Sequence, residues 1–592
     1  MTASLVDVGC AVLEVEEGSG DASPASLTVA EGLTKALRSL GVVHAFGVCG
    51  GAQALLWAAF SRHLEVLHFR HECGAAFAAT EAHFVSGRPV VVFTTTGPGI
   101  TNALTGMLAA RSEGAKLVLV SAYASAPSRG RGGIQETSGY TMPTSALFEP
   151  GPWFDDAVIL ETPDQLPQVM RRIAAGFART GAYVAHITIP NAVQGAPLSQ
   201  NLPKLTGTSV GPAVSRVAIA RCVELLSSGP FAIWAGFGAR GAAPALRELA
   251  ERAGAPVLCS PRAKGVFPED HPLFVGVTGM GGHTGAAVAY LREQAPRRVL
   301  VLGTRLGEPT SFWNPGLVPE GGFIHVDIDS SVPGVAYPQA ETYAVQADVG
   351  DFLAELLRAW PAVGVKSTLS LPRPHPVHPA AGDTGRVRPD VLMGAIQRSV
   401  VDGSDAVVLA ESGNSFTWAT NYLRFAQPQR YRVSTNLGSM GHAATGVLGA
   451  AIDGRRAVAI VGDGAMLMNS EVNTAVKGQL PVLWIVLNDG RYNMCYQGMA
   501  ALDMAGVADA VFPSVDFAML ARAMGADGAR VDSEGALEAA LAKAMSSTGP
   551  FVLDVIIDAD QIAPTRGRNE GLRVAQGARR GEGLSFPVIA AN

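Results

Sequence analysis

The chain has 592 residues, of which 48% are hydrophobic and 16% charged, and its formal net charge is −6. It is too apolar for a disordered protein and long enough for about three or four domains. The negative charge argues against a general nucleic-acid-binding protein, because phosphate contacts need clustered Lys and Arg.

The six cysteines are scattered without a CxxC pair. This spacing predicts neither a zinc site nor a disulfide framework and fits a reducing cytoplasm. The acidic N-terminus lacks the basic start of a signal peptide, and no apolar run approaches the ~20 residues of a membrane helix. We therefore expect a cytoplasmic protein with neither a nucleic acid nor a membrane as partner.

Short β-branched runs alternate with alanine-rich stretches in three consecutive blocks, a pattern typical of parallel sheets that are buried on both faces. The chain is therefore predicted to be an α/β protein with three doubly wound parallel-sheet domains. The predicted strands are Val42–Val48, Leu64–Phe69, Pro89–Thr94, Lys116–Ser121 and Tyr183–Ile189; Phe231–Ala235, Pro256–Cys259, Arg298–Leu302 and Phe323–Ile328; and Ala406–Ala410, Ala457–Val461, Val482–Leu487 and Phe551–Ile557.

Pro- and Gly-rich linkers divide the blocks and set the predicted boundaries. A flexible N-terminal extension comes first and a C-terminal tail comes last; one interpretation of the tail is a lid over the site. The predicted segments are 1–25 (extension), 26–195, 212–365 and 388–560 (domains), and 561–592 (tail).

In the first block, candidate site residues follow predicted strands. Gly50 and Gly51 come after the first strand, Arg70-His71-Glu72 ends the second, and Thr96–Gly99 (TGPG) follows the third. Ligands of doubly wound sheets bind at the carboxyl ends of the strands. Taken alone, Glu72 is more simply a carboxylate at a helix start, and His71 a structural neighbour. A second glutamate, Glu81, is expected on an exposed helix face.

The middle block contains a GxGxxG motif at Gly236–Gly241, directly after a strand. Such a motif suggests NAD or FAD when an acidic residue ends the following strand. No such residue occurs at the expected distance, so a structural turn is the preferred interpretation.

In the third block, two acidic loops follow strands that are consecutive in sequence. One loop is Gly462-Asp463-Gly464-Ala465, and the other is Asn488-Asp489-Gly490. Magnesium prefers octahedral oxygen ligands and is usually held by one or two carboxylates plus phosphates. Either motif alone is commonly an ordinary turn. Together, at strand ends, they predict a site for Mg²⁺ and a diphosphate.

These motifs together resemble the thiamine-diphosphate enzymes, and in particular the acetolactate synthases. The segment Asn488–Met494 is most similar to the catabolic, FAD-independent type. The resemblance spans about residues 26–559 and implies a pyrimidine-binding, a central and a diphosphate-binding domain in that order. It implies thiamine diphosphate and Mg²⁺ as cofactors, with FAD as the weaker expectation.

The resemblance also assigns roles to the candidate residues. Glu72 would share a proton with N1′ of the cofactor, and Gln135 would line the reaction chamber. Mg²⁺ would be bound by the side chains of Asp463 and Asp489 and by the carbonyl of Arg491. One departure from the family, a segment one residue shorter than usual, leaves Asn488 as an alternative to Asp489. The remaining predicted cofactor contacts are Gly50, Gly51, Gly413, Asn414, Ser415, Met440, Gly462, Gly464, Ala465 and Tyr492.

The implied activity is carboligation: a 2-oxo acid such as pyruvate loses CO₂, and its acyl remnant is joined to a second carbonyl compound. Two alternatives stay open, a decarboxylase that releases an aldehyde and a non-catalytic homologue. The absence of an adjacent His-His pair favours the carboligase over the decarboxylase. The family further implies a homodimer or tetramer whose active sites are shared between subunits.

Overall fold

The computed structural model describes residues 27–198, 202, 204, 212–361, 385–565 and 568–569. Within these residues, three six-stranded sheets form, and all strand pairs in the sheets are parallel. This confirms the predicted fold class. No described helix is long and apolar enough to span a bilayer. The predicted extension and most of the predicted tail lie outside the described residues.

The first sheet has the strand order β2-β1-β3-β4-β6-β5. Its strands are β1 (His44–Gly47), β2 (Glu65–His68), β3 (Val90–Thr94), β4 (Lys116–Tyr123), β5 (Asp156–Ile159) and β6 (Tyr183–Pro190). The helices around it are α1 (Val29–Ser39), α2 (Ala54–His63), α3 (Glu72–Ser86), α4 (Pro98–Glu113), α5 (Thr144–Leu147), α6 (Leu166–Phe177) and α7 (Asn191–Gln194).

The second sheet has the order β12-β11-β10-β7-β8-β9. Its strands are β7 (Phe231–Ala235), β8 (Val257–Cys259), β9 (Phe274–Val277), β10 (Arg298–Leu302), β11 (Phe323–Asp327) and β12 (Thr342–Gln346). Its helices are α8 (Arg216–Ser227), α9 (Ala243–Ala253), α10 (Thr284–Gln294), α11 (Glu308–Ser311) and α12 (Val349–Ala359).

The third sheet has the order β14-β13-β15-β16-β18-β17, which is the order of the first sheet repeated. Its strands are β13 (Val407–Ala410), β14 (Tyr431–Val433), β15 (Ala457–Gly462), β16 (Val482–Asn488), β17 (Asp527–Val531) and β18 (Phe551–Ile556). Its helices are α13 (Pro389–Ile396), α14 (Asn414–Tyr422), α15 (His442–Ala450), α16 (Asp463–Met466), α17 (Val472–Lys477), α18 (Asn493–Ala501), α19 (Phe517–Ala523) and α20 (Glu534–Ser546).

One hydrophobic core joins the first and third sheets. It contains Val92 and Leu119 from the first sheet, Leu409 and Trp484 from the third, and the alanine-rich faces of α3 and α15 between them. The small side chains allow close packing: a Cβ added at Gly449 of α15 would lie 1.8 Å from the carbonyl oxygen of Ala78 in α3. The two sheets are therefore packed as one unit within the chain.

The strand order places the predicted ligand loops at switch points. In the first sheet, β2 is added on one side of β1 and β3 on the other, so the switch point lies between β1 and β3; in the third sheet it lies between β13 and β15. The loops after these strands carry Gly50 and Gly51, the TGPG segment, residues 412–415 and the Gly462–Ala465 loop. Ligands of open α/β sheets bind at such points. The fold thus provides two candidate half-sites, one at each sheet.

Five strands were not predicted from the sequence: β5, β9, β12, β14 and β17. Each lies at the edge of its sheet with a single neighbouring strand. Strands β5, β12 and β17 are only partly buried and lack the continuous apolar run on which the prediction depended. In β17, for example, only Val531 is buried. Strands β9 and β14 are buried but short, and Gly276 and Arg432 interrupt their apolar runs.

Candidate functional site

The first half-site lies at the carboxyl edge of the first sheet. Gly50 rests against Thr95, since an added Cβ would lie 2.5 Å from that of Thr95. Gly97, in a left-handed conformation, is packed against the backbone of Gln135. Its amide donates to the Thr137 hydroxyl at 2.6 Å. Three loops distant in sequence are thereby brought together, with the side chain of Gln135 exposed beside them.

Glu72 is the first residue of α3 and is buried, with 7% of its surface exposed. Its Oε2 accepts a hydrogen bond from Nδ2 of Asn102 at 3.1 Å. Its Oε1 lies beside Gly99 and has no hydrogen-bond partner among the described residues. One carboxylate oxygen is therefore fixed by the protein, and the other is available to a ligand.

The second half-site is a cavity of about 170 Å³ at the carboxyl edge of the third sheet. Its lining includes most of the residues predicted for the diphosphate and the metal. They are Gly413, Asn414, Ser415, Met440, Gly462, Asp463, Gly464, Ala465, Asp489, Arg491 and Tyr492. Residues from four separate loops thus lie together in one cavity, and their roles as cofactor and metal contacts stay predictions.

Two carboxylates, those of Asp463 and Asp489, line this cavity. Oδ2 of Asp463 accepts the backbone amides of Asp489 at 3.1 Å and of Gly490 at 2.6 Å, and its Oδ1 accepts that of Gly464 at 2.8 Å. Burial raises the pKa of Asp463 to about 6. Burial, followed by the charge of Asp463, raises the pKa of Asp489 to about 7. A positive charge between them would relieve both effects.

Asn488 and Asp489 point in different directions. The Asn488 amide is buried and donates to the carbonyl of Val515 at 2.9 Å and to Oδ1 of Asp554 at 2.8 Å. Asp489 lines the cavity, and its Oδ2 accepts from Nδ2 of Asn493 at 2.6 Å. The geometry therefore favours Asp489 over Asn488 as the residue that faces a ligand.

The two half-sites share no lining residue among the described parts of the chain. No described residue between 27 and 361 lines the 170 Å³ cavity, so Glu72, Gly50, Gly51 and Gln135 are not part of its wall.

The expectation for Glu81 was wrong. This residue is 2% exposed and forms a buried ion pair with Arg432 of the third sheet (Oε2 to Nε, 2.8 Å). Its Oε1 lies 2.9 Å from Nε2 of His442. The partners come from more than 350 positions away in the sequence, so the pattern around Glu81 carried no signal of its burial.

Two polar residues of the third domain were also not predicted. Asn493, the first residue of α18, donates to Asp489 through the hydrogen bond described above, and its position four residues after Asp489 was an available signal. Glu411 is fully buried and accepts the amides of Ser412 and Ala444, both at 2.9 Å. It thereby connects the loop after β13, residues 412–415, to the first turn of α15.

A second and larger cavity, of about 1010 Å³, lies beside the central sheet and is lined by residues from all three domains. The GxGxxG segment borders it. An added Cβ at Gly236 would lie 2.2 Å from the carbonyl oxygen of Gly303, so this glycine is required by packing against the loop after β10. The packing agrees with a structural turn. The weaker expectation for FAD stays a prediction.

Comparison with known proteins matches all three domains to one family. Residues 27–142 match the thiamine pyrophosphate enzyme N-terminal TPP binding domain, 219–356 the central domain, and 411–555 the C-terminal TPP binding domain. Thiamine pyrophosphate is the same compound as thiamine diphosphate. Both half-sites lie in the domains described as TPP-binding.

Curated relatives agree along most of the chain. Acetolactate synthase isozyme 1 large subunit of Escherichia coli strain K12 is 28% identical over 552 residues, covering 90% of this chain and 94% of the relative. Acetolactate synthase of Mycobacterium bovis is 28% identical, covering 93% and 92%. The "Probable 2-ketoarginine decarboxylase AruI" of Pseudomonas aeruginosa is 28% identical, covering 84% and 89%. With its three matching domains, the chain belongs to the thiamine pyrophosphate enzymes and is acetolactate synthase-like.

Proposed function

We propose that this protein is a carboligase that depends on thiamine diphosphate and Mg²⁺. It would decarboxylate a 2-oxo acid, such as pyruvate, and join the acyl remnant to a second carbonyl compound, giving an acyloin or a 2-hydroxy-2-acyl acid. The observation that carries the proposal is the pairing of Asp463 and Asp489 in a cavity of the TPP-binding fold, with the free carboxylate oxygen of Glu72 at the other half-site.

The residues present fit the cofactor and its metal. Asp463 is a buried carboxylate and Asp489 a half-buried one, and their raised pKa values support binding of a cation beside them. Two carboxylates together with phosphate oxygens are an ordinary ligand set for Mg²⁺. We assign the carbonyl of Arg491 as a third protein ligand, since it accepts no hydrogen bond within the described chain. Asn414 also lines the cavity, and its side-chain amide nitrogen would be the group that donates a hydrogen bond to a diphosphate oxygen.

When bound, the cofactor supplies the stabilisation of a carbanion, which is the chemistry that amino-acid side chains lack. The protein would hold the cofactor, orient it and control the proton at its N1′ atom. Glu72 would hold the proton of the cofactor's N1′ at Oε1, while Asn102 keeps Oε2 in place. Proton transfer from a positioned group of this kind contributes roughly 10²–10⁴ in rate.

Each active site would be formed by two subunits. Glu72, Gly50, Gly51 and Gln135 of one chain would face the diphosphate cavity of the other, because none of these four residues lines that cavity in its own chain. A two-fold axis would create two such sites in a homodimer. A further pairing of dimers into a tetramer and a cytoplasmic location stay predictions.

A second candidate reaction is decarboxylation with release of an aldehyde. The similarity to the protein named as a probable 2-ketoarginine decarboxylase is as high as that to the acetolactate synthases, at 28% identity. Both reactions begin with loss of CO₂ and differ in whether a proton or a second carbonyl compound receives the carbanion.

The deciding experiment is incubation of the purified protein with thiamine diphosphate, Mg²⁺ and a panel of 2-oxo acids, with mass spectrometry of the products. A carboligase yields a product that contains both carbonyl partners, whereas a decarboxylase yields the aldehyde alone. A folded protein that binds the cofactor yet releases no CO₂ from any 2-oxo acid would contradict both reactions.

A further inference from the structure

Glu471 is a buried carboxylate that the proposed chemistry does not yet use. It is 1% exposed and lies in the third domain, between the Gly462–Ala465 loop (the metal loop) and α17. Its oxygens accept the backbone amide of Arg70 at 3.1 and 3.0 Å and that of His71 at 2.9 Å. These are the two residues immediately before Glu72. A side chain of the third domain therefore holds the backbone from which the candidate catalytic carboxylate projects.

The residues around Glu471 supply further donors and the space that this contact needs. The hydroxyl of Thr474 also donates to Oε2, so three donors converge on the carboxylate. Gly74, in the first turn of α3, permits the approach: an added Cβ would lie 3.1 Å from Oε1 of Glu471. A carboxylate at this end of a helix is favoured by the helix dipole as well. The contact thus has both the space and the charge that it needs.

We propose that Glu471 is a positioning residue for Glu72, acting on the orientation of that carboxylate without itself touching the cofactor. The inference rests on the proposed function, since it assigns the proton-sharing role to Glu72. Fixing Arg70 and His71 fixes the start of α3, and Glu72 is the first residue of that helix. Small displacements of a positioned catalytic group can cost about a hundredfold in rate.

Glu471 would connect the two active sites of the proposed dimer. Glu471 lies eight positions after Asp463 in the same chain and is bonded to the Glu72 loop of that same chain. Glu72 would serve the partner's cofactor, whereas Asp463 would bind the chain's own metal. Each subunit would therefore link the metal loop of one site to the catalytic carboxylate of the other through a single buried side chain.

The test measures the step that Glu72 directs, which is exchange of the C2 proton of bound thiamine diphosphate with deuterium, in the Mg²⁺-loaded enzyme. Glu471→Gln keeps the size of the side chain but loses the charge that accepts the amides. We expect exchange to slow about tenfold to a hundredfold while the Kd for the cofactor changes less than about threefold. Gly74→Ala, which crowds the same carboxylate without removing it, should act in the same direction.

Glu113→Gln is the matched control. Glu113 is 3% exposed, and its Oε1 accepts the consecutive amides of Thr435 at 3.1 Å and Asn436 at 3.0 Å, across the same pair of domains but away from Glu72. This variant should lower the thermal midpoint without slowing the exchange. Exchange within twofold of wild type in a folded, cofactor-bound Glu471→Gln protein would overturn the inference. Equal slowing in the Glu113→Gln protein would also overturn it, since general loosening would then explain the effect.

Glu72→Gln separates this inference from the proposed function. If Glu72→Gln removes the fast exchange and Glu471→Gln does not alter it, the positioning role alone fails. If Glu72→Gln leaves the exchange unchanged, the proposed function fails and the positioning role fails with it.

Discussion

Oδ2 of Asp463 accepts the backbone amide of Asp489 at 3.1 Å, so the two carboxyl residues of the cavity belong to one hydrogen-bonded unit. The contact joins the loop after β15 to the loop after β16, which are neighbouring parallel strands. Both side chains line the same cavity. When they are ionised they attract a divalent cation, and without a cation the two negative charges repel each other at neutral pH.

Metal binding should therefore depend on pH. In the metal-free protein, burial and the charge of Asp463 raise the pKa of Asp489 from 3.8 to about 7. The folded state then holds more protons than the unfolded state between those values, and the stability of the metal-free protein falls as pH rises through this window. Mg²⁺ requires the ionised carboxylate, so the titration of Asp489 alone should make the apparent affinity about tenfold weaker at pH 6 than at pH 8.

The measurement is titration of Mg²⁺ at both pH values, with saturating thiamine diphosphate and thermal denaturation as the readout. Asp489→Asn is the control, because it keeps an oxygen ligand but cannot titrate. The diphosphate group itself also titrates, and the difference between wild type and this variant isolates the contribution of Asp489. Equal pH dependence in both proteins would contradict the assignment of the raised pKa to Asp489.

Asn488 and Asp489 should fail in different ways when each is replaced by alanine. Asp489→Ala removes a proposed ligand and should weaken Mg²⁺-dependent cofactor binding while leaving the fold intact. Asn488→Ala removes the donor to Asp554, a carboxylate with no exposed surface, and should cost about 1–3 kcal/mol of unfolding free energy. Isothermal titration and urea denaturation of both variants distinguish the roles. Loss of metal binding in Asn488→Ala, with stability unchanged, would reverse the assignment.

The central strands, and the polar residues that directly follow them, were the part of the structure that the sequence pattern predicted. Strand β15 is apolar along its whole length, and β16 is apolar up to its last residue, Asn488. The acidic residues directly after these strands, Asp463 and Asp489, could be placed at one sheet edge from sequence alone. β14 escaped prediction because Arg432 lies at its centre. That arginine is tolerated in a buried strand because Glu81 neutralises it, and the pairing is set by the tertiary fold.

Contacts set by the tertiary fold also limit how much of the site can be predicted from the sequence. Glu471 and Glu411 act through backbone amides of distant segments, and such contacts leave no characteristic spacing. The separation of the two half-sites was expected from the family resemblance, because strand patterns do not determine which sheet edges face each other in an assembled protein.

Glu81→Gln should be strongly destabilising. Burial opposes the charge of Glu81, yet Arg432 and His442 outweigh it and hold the pKa of Glu81 at about 2, below its usual 4.5. The corresponding stability is present above pH 4.5 and is lost as pH falls toward 2. Removing the charge leaves Arg432 buried without a counter-ion, at a cost of about 3–5 kcal/mol. Urea denaturation at pH 7 measures this cost. As a control, Glu248→Gln removes an exposed pair with Arg252 and should cost little.

Mixing two inactive variants tests whether the active site is shared. Glu72→Gln damages only the first half-site and Asp463→Ala only the second, so a homodimer of either variant carries two defective sites. In a mixed dimer, one site combines both defects and the other combines two intact halves. With random pairing, half the dimers are mixed and each has one intact site, so about a quarter of the wild-type activity should return.

The variants are co-expressed with different affinity tags, and the doubly tagged dimer is purified so that its activity can be measured directly. That dimer should show about half of the wild-type rate per subunit pair. Co-expression of Glu72→Gln with a Glu72→Gln, Asp463→Ala double variant is the control, because no pairing of these chains restores an intact site. If both half-sites came from one chain, every chain in the mixed dimer would remain defective. A doubly tagged dimer as inactive as the control would therefore refute the shared site, whatever reaction the protein catalyses.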